Sequence, residues 1–267
     1  MTAGLPLVLL VAWLLLGAIA GVIAGLLGVG GGIVIVPALL LLFIWQGMPV
    51  EILMHLTVAT SLATIVFTSI SSTLAHHRHG AVLWPMVRAM APGIVAGSMA
   101  GAWFAHTLPS EVLRLVFGVF EILVGLQIGL GLSPAARVQL PGRKGLALIG
   151  SGIGGASTVL GIGGGTLTVP FLLWCHIPIR NAVASSSACG LPIALAGAVT
   201  LMLAGSAQPV LPPASTGYVY WPAAAAIIVA SVITAPLGAR LAHTLPVMTL
   251  RRIFAVVLIA IGIRMVL

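Results

Sequence analysis

A run of glycines inside apolar sequence occurs twice, at matching places in the two halves of the chain. Residues 28–37 read GVGGGIVIVP, and residues 161–170, 133 positions later in a chain of 267, read GIGGGTLTVP. Each glycine disfavours a helix by about 1 kcal/mol relative to alanine, and glycine readily adopts positive φ. The sequence therefore predicts two breaks in helical structure within a duplicated unit.

The chain is too apolar to cover a water-facing surface. Hydrophobic residues make up 60% of it and charged residues 5%, whereas a soluble domain has about 25% charged residues. The Leu, Ile, Val and Ala runs are long and do not alternate with polar residues as barrel strands do. Because backbone groups in a lipid bilayer must pair within the chain, we expect an all-α polytopic membrane protein.

The net charge of +8 comes from 11 Lys and Arg against 3 acidic residues. These basic residues stand mostly singly between apolar runs, which is typical of the positive-inside distribution. A nucleic-acid partner is therefore not expected. Cys175 and Cys189 form no CxxC pair and no disulfide framework.

In each half, the apolar runs predict a glycine-broken helical hairpin followed by three spanning helices. The second helix of each hairpin is too short to cross the roughly 30 Å hydrocarbon core at about 1.5 Å per residue. The predicted units are a first transmembrane repeat at 1–132, a cytoplasmic linker at 133–144 and a second repeat at 145–267. The predicted helices are 5–27, 33–45, 52–74, 81–106, 112–130, 145–160, 166–175, 182–203, 218–241 and 250–267.

Further matches extend the duplication: AHTLP occurs at 105–109 and again at 242–246, and WP at 84–85 and 221–222. The distribution of basic residues decides the relative orientation of the halves. With the linker in the cytoplasm, a hairpin at each glycine run places most remaining arginines inside. A kink within one continuous span would instead place four outside, namely Arg180, Arg240, Arg251 and Arg252. We therefore predict two inverted repeats with both termini outside.

Hydroxyl side chains follow each break. Those of the first half recur at helical spacing, so they either line a polar path or bond their own backbone and pack against a neighbouring helix. A helix that starts inside the membrane presents unpaired N–H groups and about half a positive charge. Two such N-termini that face each other would hold one small anion, although close helix packing also explains the glycines. The candidate substrate-binding residues are Gly30, Gly31, Gly32, Gly163, Gly164, Gly165, Thr57, Thr60, Ser61, Ser185, Ser186 and Ser187.

Two ionisable residues are candidates for proton coupling. Glu121 falls in the middle of a predicted span, where an acid is either functional or a protonated structural group, and His55 begins another. The segment from His76 to Gly80 is interpreted as a solvated basic loop, because a metal site would need a further ligand. Neither a metal nor a cofactor is expected.

This architecture is typical of secondary transporters. An anion channel remains an alternative, which flux without saturation or counterflow would indicate. An intramembrane enzyme would need an activated nucleophile, paired carboxylates or a metal cluster, and the sequence predicts none of these. A homo-oligomer is left open.

The frame GxGGGxxxxP, the later V-A-T-S at 58–61 and V-A-S-S at 183–186, and the Leu-Pro turn before the last span resemble the sulfite exporter TauE/SafE family. The resemblance covers nearly the whole chain. It implies a multi-pass protein of the bacterial inner membrane that exports sulfite, organosulfonates or related small sulfur anions, with another small anion as the alternative. It also implies a substrate role for the six central glycines and, more loosely, for the hydroxyl clusters.

Overall fold

The computed structural model describes residues 4–28, 30–130, 138–242 and 248–266. In these ranges the chain is almost entirely helical, which confirms the predicted fold class. The helices are α1 Gly4–Leu27, α2 Gly32–Trp45, α3 Leu53–Arg78, α4 Trp84–Thr107, α5 Ser110–Gly129, α6 Arg143–Val159, α7 Gly165–Trp174, α8 Ile179–Ala204, α9 Trp221–Ala242 and α10 Met248–Val266. A short 3₁₀ turn, Val50–Ile52, precedes α3.

Five stretches are long and apolar enough to cross a membrane, and the protein is a multi-pass membrane protein. They comprise most of α1, α3 with the preceding 3₁₀ turn, α5, α8 and α9. The helices α2 and α7 have 14 and 10 residues, so neither crosses alone. Helix α3 is central, because 78% of the residues in its most apolar stretch are buried, compared with 33% in α5.

Two helix pairs pack closely through glycines and run parallel. A Cβ on Gly17 would collide with Ile227 of α9, and one on Gly25 would collide with Ala235, further along both helices. Helix α4 packs on α6 in the same way. Three of the contacts are Gly93 with Ala147, Gly97 with Ser151 and Gly101 with Gly155. Small residues at these positions let the backbones touch, as is common between membrane helices.

Two other pairs run antiparallel, and each joins helices that occupy the same place in the two repeats. Along α3 and α8, a Cβ on Gly197 would meet Leu62, whereas Ser72 donates to the Ser187 hydroxyl oxygen at 3.2 Å. Along α5 and α10, Gly118 lies against Gly262 and Gly125 against Ala255. In both pairs, residue numbers increase along one helix as they decrease along its partner, so the helices run antiparallel.

Two predictions outside the core need correction. The predicted loop at His76 is wrong in its first part, because α3 continues to Arg78. His76 is only 1% exposed, and its Nε2 lies 3.0 Å from the Gly25 carbonyl oxygen, so α1 covers the end of α3. The helix predicted at 218–241 begins only at Trp221, because the stretch before it forms a small hairpin in which β1 (Ser215–Thr216) and β2 (Val219–Tyr220) pair antiparallel.

The linker prediction lies partly outside the described residues. Helix α6 begins at Arg143, within the predicted linker, and the Val138 N–H donates to the Trp174 carbonyl oxygen at 3.3 Å. The second Leu-Pro turn, at 245–246, also lies outside the described ranges.

Candidate substrate-binding site at the paired glycine breaks

Both glycine runs interrupt the helix with left-handed glycines at two equivalent positions, although Gly30 has positive φ and its equivalent Gly163 does not. Gly31 immediately precedes α2 with φ 81°, and its repeat equivalent Gly164 immediately precedes α7 with φ 75°. The first residues of the two runs, Gly28 and Gly161, also match, with φ of 70° and 67°. L-residues disfavour this left-handed region, so glycine at these positions is what permits each turn.

The two breaks contact each other. A Cβ on Gly30 would lie 3.0 Å from the Cα of its repeat equivalent Gly163. A Cβ on Gly32 would lie 2.5 Å from the Gly161 carbonyl oxygen. The backbones therefore approach too closely for any side chain to lie between them at these points.

A serine from each half holds the break of the other half. Ser61 Oγ, on α3, donates to the Gly161 carbonyl oxygen at 2.8 Å. Its repeat equivalent, Ser186 on α8, has its Oγ 3.1 Å from the Gly28 carbonyl oxygen and 2.8 Å from the Val183 carbonyl oxygen. Both serines are fully buried. The V-A-[TS]-S match in the sequence thus corresponds to two equivalent interactions between the halves.

The N-termini of α2 and α7 leave backbone donors near this contact. Helical bonding in α2 starts with Val34 and Ile35, whose N–H groups donate to Gly31 at 3.0 Å each. In α7 it starts with Leu167 and Thr168, which donate to Gly164 at 3.1 and 2.7 Å. The N–H groups before these residues have no helical partner, and the helix dipole makes them attractive to an anion.

The other four predicted hydroxyls have structural partners. Thr57 donates to the Leu53 carbonyl oxygen at 2.8 Å, and the Thr60 hydroxyl accepts from the Tyr220 N–H at 3.0 Å, which holds the β-hairpin on α3. In the second half, the Ser185 hydroxyl accepts from the Leu83 N–H at 3.0 Å, and Ser187 donates to the Val183 carbonyl oxygen at 3.2 Å. These bonds would have to be exchanged or shared if the same hydroxyls bound a substrate.

Sequence reasoning missed a second set of hydroxyls, which are buried and have no hydrogen-bond partner among the described residues. Four members of this set lie on α3, α6 and α7, namely Ser69, Ser157, Thr158 and Thr168. Thr168 Oγ1 and Ser157 Oγ lie 3.6 and 3.7 Å from the place of a Cβ on Gly164. Comparison of the repeats could have found these two, because their equivalents in the first half are Ile35 and Ala24.

Glu121 lies in the contact between α5 and α10. It is fully buried, and neither carboxylate oxygen has a hydrogen-bond partner among the described residues. Along α5 it lies between Gly118 and Gly125, which pack on α10. Its repeat equivalent on that helix is Leu258, which is also buried.

His55 lies near the end of α4 and the β-hairpin. Its Nε2 is 3.2 Å from the Ala105 carbonyl oxygen, and its ring stacks on Tyr218 at a centroid distance of 4.9 Å. The Tyr218 hydroxyl is also 3.0 Å from His106 Nδ1. Burial raises the pKa of Tyr218, while a hydrogen bond with Gln208 acts in the opposite direction. These contacts connect His55 to the hairpin and not to the glycine breaks.

Comparisons with known proteins agree with a transport role. A family model described as sulfite exporter TauE/SafE matches residues 13–265. A protein of Haemophilus influenzae named probable membrane transporter protein is 38% identical over 257 residues, which cover 94% of this chain and 96% of that protein. Probable membrane transporter protein YunE of Bacillus subtilis is 30% identical over 273 residues, covering 94% and 95%. Probable membrane transporter protein MamO of Paramagnetospirillum magneticum is 25% identical over 296 residues, which cover 96% of this chain and 44% of that protein. No solved structure matches.

Proposed function

The chain belongs to the sulfite exporter TauE/SafE family and is a membrane transporter, and on that premise we propose that it is a secondary transporter of small sulfur-containing anions. Sulfite and organosulfonates are the proposed substrates, and export is the proposed direction. The observation that carries the proposal is the contact between the two glycine breaks, each of which leads into the N-terminus of a short helix inside the bundle. Helix N-termini of this kind can bind an anion through backbone N–H groups alone, so that no charged side chain is needed.

We further propose that the two repeats have opposite orientations in the membrane. The helices α3 and α8 are equivalent in the duplication and run antiparallel, as do α5 and α10. Equivalent membrane-crossing helices that run in opposite directions are expected of inverted repeats, the arrangement that many secondary transporters use for alternating access.

In the proposed cycle, one repeat rocks against the other and exposes the site to each side in turn. The bonds from Ser61 to Gly161 and from Ser186 to Gly28 connect opposite halves, so relative motion of the halves changes both. Because these bonds hold the ends of the breaks, the same motion would alter access to the helix N-termini. The site and the moving contact are therefore neighbours.

Glu121 is the proposed residue for proton coupling, with His55 as a second candidate. An ionised carboxylate without a partner is costly inside a membrane. Protonation of Glu121 would therefore favour the closed α5–α10 contact, and ionisation would favour a state in which water or a cation reaches it. Motion that opens this contact would link proton release to transport.

Counterflow of labelled sulfite and of a small organosulfonate into proteoliposomes tests the function. Saturable uptake that a preloaded anion stimulates is the expected result, whereas unsaturable flux without such stimulation would indicate an anion channel. Gly164→Leu should abolish uptake, because the new side chain would fill the break. Gly152→Leu is the control, because a Cβ on Gly152 meets nothing within 4 Å. Normal uptake by Gly164→Leu would contradict the placement of the site.

A further inference from the structure

We infer that the anion site is one-sided: the substrate binds at the second glycine break, on the hydroxyls of Ser157 and Thr168 beside the N-terminus of α7, and the site selects monoanions. This inference rests on the proposed function, because it specifies the substrate class of the same site. It concerns two residues whose side chains differ from those at the equivalent positions of the first half.

The first support is that these two hydroxyls are buried without a partner. Ser157 and Thr168 are each fully buried, and no hydrogen bond of either hydroxyl is found within the described part of the chain. Buried hydroxyls in native proteins are nearly always bonded to protein, ordered water or a ligand. Two of them near the same positive-φ glycine, at the start of a helix, therefore indicate a place for a bound acceptor.

The second support is the difference between the two breaks. In the first half, the positions of Ser157 and Thr168 are occupied by Ala24 and Ile35, which offer no donor. The space beside Gly31 is limited by the backbone, since a Cβ there would lie 2.9 Å from the Ala20 carbonyl oxygen.

The space beside Gly164 is limited differently. The closest atom to a Cβ there is the terminal methyl of Ile193, and the Thr168 and Ser157 oxygens follow. A side-chain end can rotate away, whereas a carbonyl group within a helix cannot. The second break can therefore open a small space lined by donors, and the first cannot do so equally.

Two more unpartnered hydroxyls extend the same region towards α8. Ser69 Oγ and the Gly163 carbonyl oxygen lie 2.8 and 2.9 Å from the place of a Cβ on Gly190. Thr158 Oγ1 lies 3.2 Å from the place of a Cβ on Gly197. Both hydroxyls are buried and without a partner among the described residues. A substrate or water that leaves the break would meet these donors next.

The charge of the donors determines the class of anion. The hydroxyls and backbone N–H groups named here are uncharged, and a helix N-terminus supplies about half a positive charge. Together with the hydrogen bonds, this half charge can stabilise one negative charge, whereas a second negative charge would remain uncompensated in surroundings of low dielectric constant. Hydrogen sulfite and monosulfonates fit this description, and sulfate does not.

The test combines two measurements on purified full-length protein. The first is counterflow of labelled sulfite into proteoliposomes, with methanesulfonate and sulfate as competitors. The second is the thermal unfolding midpoint in detergent with methanesulfonate or sulfate added. The variants are Ser157→Ala, Thr168→Val and the pair. The control variants Ser151→Ala and Thr200→Val remove hydroxyls that bond their own helix.

We expect each single variant to raise the KM for sulfite about 3- to 10-fold, since each removes one hydrogen bond from the bound anion. The control variants should leave KM unchanged. Without anion, the thermal unfolding midpoint of Thr168→Val should be no lower than that of wild type, because the substitution removes an unpartnered hydroxyl at nearly constant side-chain volume. Thr168→Ser keeps the donor and should retain the wild-type KM.

An unchanged KM in the double variant would overturn the placement of the site at the second break. Earlier unfolding of Thr168→Val without anion would do the same, because it would indicate a structural hydrogen bond. Equal competition by sulfate and methanesulfonate would overturn the monoanion preference. If wild type shows no counterflow but methanesulfonate still stabilises it and not the double variant, the proposed function fails and the site stands. If neither effect is seen, both fail.

Discussion

The contact between the two glycine breaks can be tested with one methyl group. Gly30→Ala adds a Cβ that would lie 3.0 Å from the Gly163 Cα and 3.0 Å from a methyl carbon of Ile65. Gly47→Ala is the matched variant, because Gly47 also has positive φ, 68° against 74°, but a Cβ there meets nothing within 4 Å. Both substitutions force alanine into the left-handed region, and only Gly30→Ala pushes the breaks apart.

The expected magnitudes follow from these two terms. Alanine in the left-handed region costs about 1–2 kcal/mol, and Gly47→Ala should lose this amount. At Gly30 the added carbon lies well inside the optimal carbon–carbon separation of about 3.5–4.0 Å. Overpacking of this kind typically costs about 1–3 kcal/mol more. Gly30→Ala should therefore lose about 2–5 kcal/mol in total.

The assay is the unfolding free energy of purified protein in mixed micelles, followed by counterflow of labelled sulfite. Gly30→Ala should unfold more easily than Gly47→Ala and should also transport more slowly, because its methyl group pushes the two glycine breaks apart. Gly47→Ala should keep wild-type transport. If the two variants are equally stable and equally active, the breaks do not pack as described and their contact plays no part in transport.

Two further predictions concern the bonds between the halves and the buried acid. Ser61→Ala and Ser186→Ala should each slow counterflow and lower the unfolding free energy by about 1–3 kcal/mol, because each leaves a buried carbonyl without its donor. Ser206→Ala is the control, because Ser206 is exposed. Wild-type counterflow and stability in both variants would contradict the bridging role of the two serines. Glu121→Gln should make counterflow insensitive to pH if Glu121 carries the proton. Glu111→Gln, on the exposed first turn of the same helix, should leave the pH dependence unchanged. An unchanged pH profile in Glu121→Gln would exclude Glu121 as the proton-coupling residue.

The architecture could be predicted because a few local signals are strong. Long apolar runs leave helices as the structure that satisfies the backbone in lipid, and three adjacent glycines locate a break to within a few residues. The predicted short helices at 33–45 and 166–175 differ from α2 and α7 by a single residue at each differing end. The sequence predicted the two serines of the duplicated V-A-[TS]-S motif only as substrate ligands, and it did not predict their equivalent bonds between the halves.

Partners across the chain could not be predicted in the same way. The hydroxyl of Thr60 accepts from the backbone of Tyr220, 160 residues away, and the ring of His76 contacts the carbonyl of Gly25. Neither contact follows from the periodicity of side chains along one helix. A stripe of hydroxyls has the same sequence pattern whether it lines a path or bonds other helices, so only the fold separates Thr60, which has a partner, from Ser69, which has none among the described residues.

Duplication explains why the missed hydroxyls are informative. Two copies that pack through equivalent contacts, as Ser61 and Ser186 do, are constrained to remain alike where those contacts lie. Positions that differ between the copies, such as Thr168 against Ile35, are free of that constraint. A buried hydroxyl that replaces an apolar side chain loses free energy unless something bonds to it. Under the proposed function, the matched positions would support motion between the halves, and the unmatched hydroxyls would bind the anion.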